Sequence, residues 1–267
     1  MRISGVGMIS GLLGILLVGA APARAQSNFE IQVYPGTTVP KGVTMLELHS
    51  NFTGRGSTTV LNGVLPSNHA LHETIELTHG FADWLEIGFY QFVSFQDAGG
   101  VQYVGNHIRP RIAVPERLKW PIGLSLSQEV GYNRKEFGED TWSWEFRPII
   151  DQTIGRFYWS FNPTLGIALK GPNAGHSPDF EPSAQVGFDA TRRVNIALEY
   201  YGGLGPLSDL EPLKTSQQLL VPALNINFGP EWEFNIGAGI ALTDPTDRVT
   251  FKMIMGRKLG GRKSPPK

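Results

Sequence analysis

A two-residue rhythm constrains this chain more than any other feature. Between Thr141 and Asp151, Trp142, Trp144, Phe146, Pro148 and Ile150 fall on one parity. Ser143, Glu145, Arg147 and Asp151 fall on the other, with Ile149 the exception. Side chains alternate across an extended strand, so such a segment is apolar on one side and polar or charged on the other. The same rhythm recurs along most of the sequence. Bulky apolar residues share one face; Ser, Asn, Gly, Glu and Arg share the other. A sheet with this division expects lipid outside and water inside, which is the pattern of a transmembrane β-barrel.

Twelve strands are expected: Val43–Thr53, Ala70–His79, Trp84–Phe95, Gln102–Ala113, Ile122–Tyr132, Thr141–Thr153, Phe157–Lys170, Glu181–Thr191, Val194–Gly203, Gln217–Phe228, Trp232–Ala241 and Val249–Arg257. Each is close to the ~9–11 residues a tilted strand needs to cross a bilayer. The connections alternate in length. Gly80–Asp83, Ile154–Arg156, Arg192–Arg193 and Gly229–Glu231 are short, and Val114–Pro121 is the longest on that side. Gly54–His69, Asn133–Asp140, Gly171–Phe180 and Leu204–Ser216 are long, while Gln96–Val101 and Leu242–Arg248 are intermediate. Short periplasmic turns, long outer loops and an even strand count fit both termini on the periplasmic side. The fold class expected is all-β, an antiparallel transmembrane barrel of about twelve strands.

The ends read differently. Arg2, the uncharged run Gly5–Ala21 and Ala23-Arg24-Ala25 have the parts of a secretory signal, so residues 1–25 are expected to be removed. Mass analysis of the protein from membranes should then show a mature chain beginning at Gln26. Residues 26–42 are expected to form a periplasmic N-terminal extension, with a lumenal plug as the lesser use. Phe29–Tyr34 alternates, but Pro35, Gly36 and Pro40 interrupt it. The barrel is expected over 43–259 and a disordered basic tail over 260–267. With no cysteine, an exported chain has no disulfide to staple it. A formal charge of −1 argues against a nucleic-acid-binding surface. The partners expected are outer-membrane lipid, the outer-membrane assembly machinery and a small-molecule solute.

The inward parity is polar and carries most of the strand charges. From loop lengths, His107 is expected opposite Glu129, Arg109 opposite Ser127 and Arg111 opposite Ser125, within a two-residue slip. Glu86 is expected near Arg111, and Arg147 near Ser127. Arg109, Arg111 and Arg147 should therefore cluster on one wall, bordered by Glu86, Glu129 and Glu145, with His107 beside them. These seven are the candidate lumen and selectivity residues. Glu73 breaks the parity near a strand end. Catalytic signals are poor: none of the six histidines has a serine two residues after it, the spacing a barrel lipase would use. His69 and His72 fall on opposite faces, and no familiar ligand spacing is present, so neither a metal nor a cofactor is expected.

Glu73–Gly88, with its Gly80-Phe81-Ala82-Asp83 turn and Glu86-Ile87-Gly88, resembles a hairpin of the outer-membrane family named for the meta-pathway of phenol degradation. Glu199–Gly205 resembles a strand end in that family. The resemblance implies an outer-membrane channel for small compounds and supplies no catalytic residue. The chain departs from a common barrel ending, because Arg257 and Lys258 lead into a basic tail where a terminal Phe is usual. The function expected is passive or facilitated passage of small solutes across the outer membrane. The alternatives are a structural or adhesion barrel with an occluded lumen and, further off, a lipid-active enzyme.

Overall fold

The computed structural model describes residues 28–96 and 99–260. The expected signal peptide and residues 261–267 of the expected tail lie outside the described residues. Twelve strands follow in chain order: β1 (Val43–Arg55), β2 (Leu71–Ala82), β3 (Leu85–Gln96), β4 (Gly100–Ala113), β5 (Gly123–Asn133), β6 (Trp142–Ile154), β7 (Phe157–Lys170), β8 (Asp179–Asp189), β9 (Val194–Gly203), β10 (Gln217–Ile226), β11 (Trp232–Ala241) and β12 (Val249–Gly260). Each pairs with its chain neighbours, and β1 pairs with β12 to close the barrel. That seam runs antiparallel from Val43 opposite Gly260 to Arg55 opposite Val249. Closure gives every strand two partners, which is what hydrocarbon demands of a sheet.

The outer surface follows from the alternation. Ile75, Leu77, Phe89, Ile108, Val186, Ile196, Ile236 and Phe251 all lie exposed on the outward parity. Trp84, Trp120 and Trp232 sit toward the rim that carries the termini, and Trp142 sits toward the opposite rim. Their amphipathic rings suit the headgroup level. A lysine or arginine in the middle of this belt would cost about 2–4 kcal/mol. Glu73, the acid that breaks the parity, does face outward. It lies near the loop-side end of β2, where Ser50 Oγ on β1 donates a 2.8 Å hydrogen bond to its carboxylate. The belt and the closed sheet are those of an outer-membrane barrel.

Two irregularities matter for the interior. In β4 the register against β3 shifts: Phe92 faces Gly105, but Val93 faces Tyr103. Val104 is the extra residue of this bulge and turns fully inward. In the β4–β5 connection, Glu116–Leu118 form a 3₁₀ turn closed by Lys119 in a left-handed conformation. It tightens that connection and moves the β4–β5 pairing two residues from the expected register. His107 faces Gly131, not Glu129, and Arg111 faces Ser127.

The long connections lie at the end of the barrel opposite the β1–β12 termini, as the sequence requires. With the loop side outward, a cysteine at Ser57 should react with an impermeant thiol reagent in intact cells, and one at Arg193 should not. The opposite labelling would invert the topology.

Candidate functional site

The largest departure from expectation is the course of residues 28–42. They do not form a periplasmic extension. They thread the lumen from the loop side, where Asn28 Nδ2 donates to Asp247 Oδ2 at 3.0 Å, to the terminus-side rim, where Gly42 N donates to Gly80 O. The reason is the rhythm of the segment itself. Ile31 and Val33 point to a wall that is apolar on its inner face, made by Ala197 and Tyr201 of β9 with Leu219, Val221 and Ala223 of β10. Phe29 packs with Tyr90, Phe92 and the bulged Val104. Glu30 and Tyr34, on the other parity, meet the charged wall. Full burial of each large apolar side chain contributes roughly 1.5–3 kcal/mol, so the segment is held firmly although no strand pairs with it.

Polar contacts fix its backbone. Asn162 Oδ1 accepts from Tyr34 N at 2.8 Å, and Ser160 Oγ donates to Tyr34 O at 2.7 Å. Asp151 Oδ2 accepts from Gly36 N at 3.0 Å, and Glu86 Oε2 accepts from Val39 N at 2.6 Å. Gly36 is required here. A Cβ at this position would lie 2.6 Å from Asp151 Oδ1 and 2.9 Å from the carbonyl carbon of Gly123. Gly36→Val is expected to lift the segment off the wall and cost about 1–3 kcal/mol, the usual scale of overpacking. The check is a lower thermal midpoint in detergent, read by heat-modifiable gel migration. An unchanged midpoint would mean that the wall yields freely.

The expected arginine cluster is present, and its centre is Tyr34. The guanidinium carbons of Arg109 and Arg147 each lie 4.5 Å from the Tyr34 ring centroid, and that of Arg111 lies 5.6 Å away. Arg109, only 2% exposed, donates from Nη2 to Glu76 Oε1 at 2.8 Å and lies 3.3 Å from Glu86 Oε1. Arg111 pairs with Glu86 at 2.7 Å and donates to the carbonyls of Pro35 and Thr37 at 3.0 and 2.8 Å. Arg147 pairs with Glu145 at 2.8 Å and lies 3.8 Å from Glu30. His107 Nδ1 and Glu129 Oε1 form a short contact, despite the shifted register. Five of the seven candidates therefore join one network through Tyr34, while His107 and Glu129 form a separate pair beside it, with Glu129 facing Glu145 across the β5–β6 pairing. The Tyr34 hydroxyl bonds to Glu30 and lies 3.2 Å from that of Tyr90.

Two clusters lie outside that candidate set. Lys252 of β12 donates to Glu199 of β9 at 2.6 Å, with Asn235 of β11 also donating to Glu199 at 3.1 Å. Glu47, His49 and Glu76 also converge, their ligand-type atoms all within 4.8 Å of one another. The chain has no familiar ligand spacing, and this group forms only where the fold brings two strands together. Spacing along the chain could not show it, because two donors are on β1 and the third is on β2. The signal was the inward Glu47-x-His49 pair read against the hairpin register.

No protein-family model and no curated protein matches the chain. Among solved structures, the KdgM porin is similar with a TM-score of 0.53 at 7% identity, over 81% of this chain and 99% of that one. The NanC porin is similar with a TM-score of 0.53 at 8% identity, over 80% of this chain and all of that one. At these identities the likeness shows the fold, a twelve-stranded outer-membrane barrel, and does not extend to the phenol meta-pathway family.

Proposed function

We propose that the protein is an outer-membrane channel for small aromatic solutes, held closed by its own residues 28–42. The observation that carries this reading is the setting of Tyr34. A phenol ring lies among three guanidinium groups, with a second phenol hydroxyl at its edge. Cation–π attraction favours any ring in that slot and is worth ~0.5–2 kcal/mol per pair, depending on desolvation. When the segment withdraws, the same three cations face the passage, and a phenol or an aromatic acid can take the place of Tyr34. Apart from the Gly42–Gly80 backbone bond at its attached end, segment 28–42 is held by side-chain contacts and not by strand pairing, so it can leave without opening the barrel. The role proposed is passage and not catalysis. A second reading, a scaffold barrel with a permanently occluded lumen, is favoured by how deeply the wall side chains are covered.

Locking the segment separates the two. Asn28→Cys with Asp247→Cys replaces a contacting pair at the loop-side mouth in a chain with no native cysteine. In proteoliposomes, uptake of 4-hydroxybenzoate should proceed when the thiols are free and fall at least tenfold when a short cross-linker joins them. Gluconate should enter more slowly. Equal uptake with and without the cross-link would rule out the segment as a gate. Absence of uptake in both would leave the scaffold.

A further inference from the structure

We propose that Glu47, His49 and Glu76 bind one first-row divalent cation of the Zn²⁺ class inside the barrel. Glu47 and Glu76 face each other across the β1–β2 pairing, both on the inward face. Like charges directly opposite in a sheet destabilise it unless something positive lies between or beside them. Arg109 serves only one of the two. Its Nη2 holds Glu76 Oε1, and Thr78 Oγ1 donates to the same oxygen at 2.6 Å. The other oxygen, Glu76 Oε2, has no hydrogen-bond partner and lies 3.3 Å from His49 Nε2. Glu47 makes no ion pair among the described residues, and its Oε1 is buried without a hydrogen bond. Both ring nitrogens of His49, a fully buried residue, also lack a hydrogen bond.

Three buried groups thus turn toward one another ligand atoms that no hydrogen bond satisfies. Two carboxylates and a neutral imidazole supply a −2 donor set that a divalent cation neutralises. Mixed oxygen and nitrogen donors favour Zn²⁺ and its first-row neighbours over Mg²⁺ or Ca²⁺, which take oxygen ligands. Glu76 is already oriented from behind by Arg109 and Thr78, in the manner of supported metal ligands. Room for Glu47 comes from β12. A Cβ on Gly256, which pairs with Glu47, would lie 2.8 Å from Glu47 Cγ. Thr74, opposite His49 on β2, donates to the carbonyl of Phe29, so segment 28–42 passes over the site. With the segment seated the site is covered, so the metal is supplied during refolding.

The test uses the untagged full-length mature chain, refolded into detergent with ZnCl₂ and passed through gel filtration. Wild type should retain one zinc per chain by elemental analysis, and Co²⁺ in its place should give a visible absorption band. Glu47→Gln and His49→Gln should each retain less than a tenth of that zinc. Glu73→Gln, on the outward face of β2, should retain it fully. Folding is verified by heat-modifiable gel migration. Glu47→Gln relieves a buried like-charge pair, so it should fold without metal at least as well as wild type. Wild-type zinc below a tenth of an equivalent, or full zinc in both the Glu47 and His49 variants, overturns the site. Zinc content is independent of solute passage, so this result stands apart from the channel reading.

Discussion

Deletion of Asn28–Val39, leaving Gln26 and Ser27 for processing, is expected to raise single-barrel conductance in planar bilayers at least tenfold over the intact protein. The deletion removes Tyr34 from the arginine wall and frees Arg111 from the carbonyls of Pro35 and Thr37. It also uncovers the inner apolar wall of β9 and β10, so the variant should melt earlier. In this background Arg147→Ala should shift the reversal potential toward cation preference, because Glu129 and Glu145 then face the passage with one cation fewer. Conductance unchanged by the deletion would mean that the lumen is closed by its walls. An unchanged reversal potential in an open barrel would confine Arg147 to a structural role.

The second large effect is on stability. Arg109→Leu should destabilise the barrel by about 3–5 kcal/mol, since it leaves Glu76 buried without its cation while Glu86 keeps Arg111. Arg117 makes a closer contact with Asp83, at 2.6 Å, but on the exposed terminus-side turn. Arg117→Ala should cost no more than about 1 kcal/mol, because solvent already screens that pair. Urea unfolding in detergent distinguishes the two. Equal losses would mean that the lumen around Arg109 is wet enough to screen charge. Arg109→Leu combined with Glu76→Gln should recover part of the loss, which a purely steric role for Arg109 would not allow.

The barrel itself was legible because a bilayer imposes one face on every strand. Phe157–Lys170, Val194–Gly203 and Trp232–Ala241 have the same ends in sequence and structure. Register was legible where connections are simple: Glu86 does face Arg111, and Arg147 does face Ser127. It slipped by two residues between β4 and β5, where the 3₁₀ turn takes up chain that reads as plain loop. Ile149, the exception to the opening rhythm, is fully buried on the inward face and belongs to the filled interior. The lumenal course of the segment ranked second to a periplasmic extension because Pro35, Gly36 and Pro40 read as strand breakers. They are, but a thread that pairs with no strand has no ladder to lose. An expectation of a uniformly polar inner wall also hid the apolar patch that receives Ile31 and Val33. Leu219, Val221 and Ala223 are alternate residues of β10 that face inward, and their partners lie far back in sequence.

The thread also changes how the barrel must be assembled. The β1–β12 seam joins the two ends of the sheet, the pairing of greatest sequence separation and thus the slowest to form. Residues 28–42 are enclosed once that seam is made. They must be laid down inside the curling sheet before the last strand arrives, or be drawn in through an already finished ring. In the first order of events they act as a mandrel. Ile31 and Val33 gather β9 and β10, Glu30 and Tyr34 gather β4 and β6, and the sheet is brought to its final curvature before its edges meet. The N-terminal piece would then determine how quickly the cylinder is sealed, before it has anything to do with what passes through it.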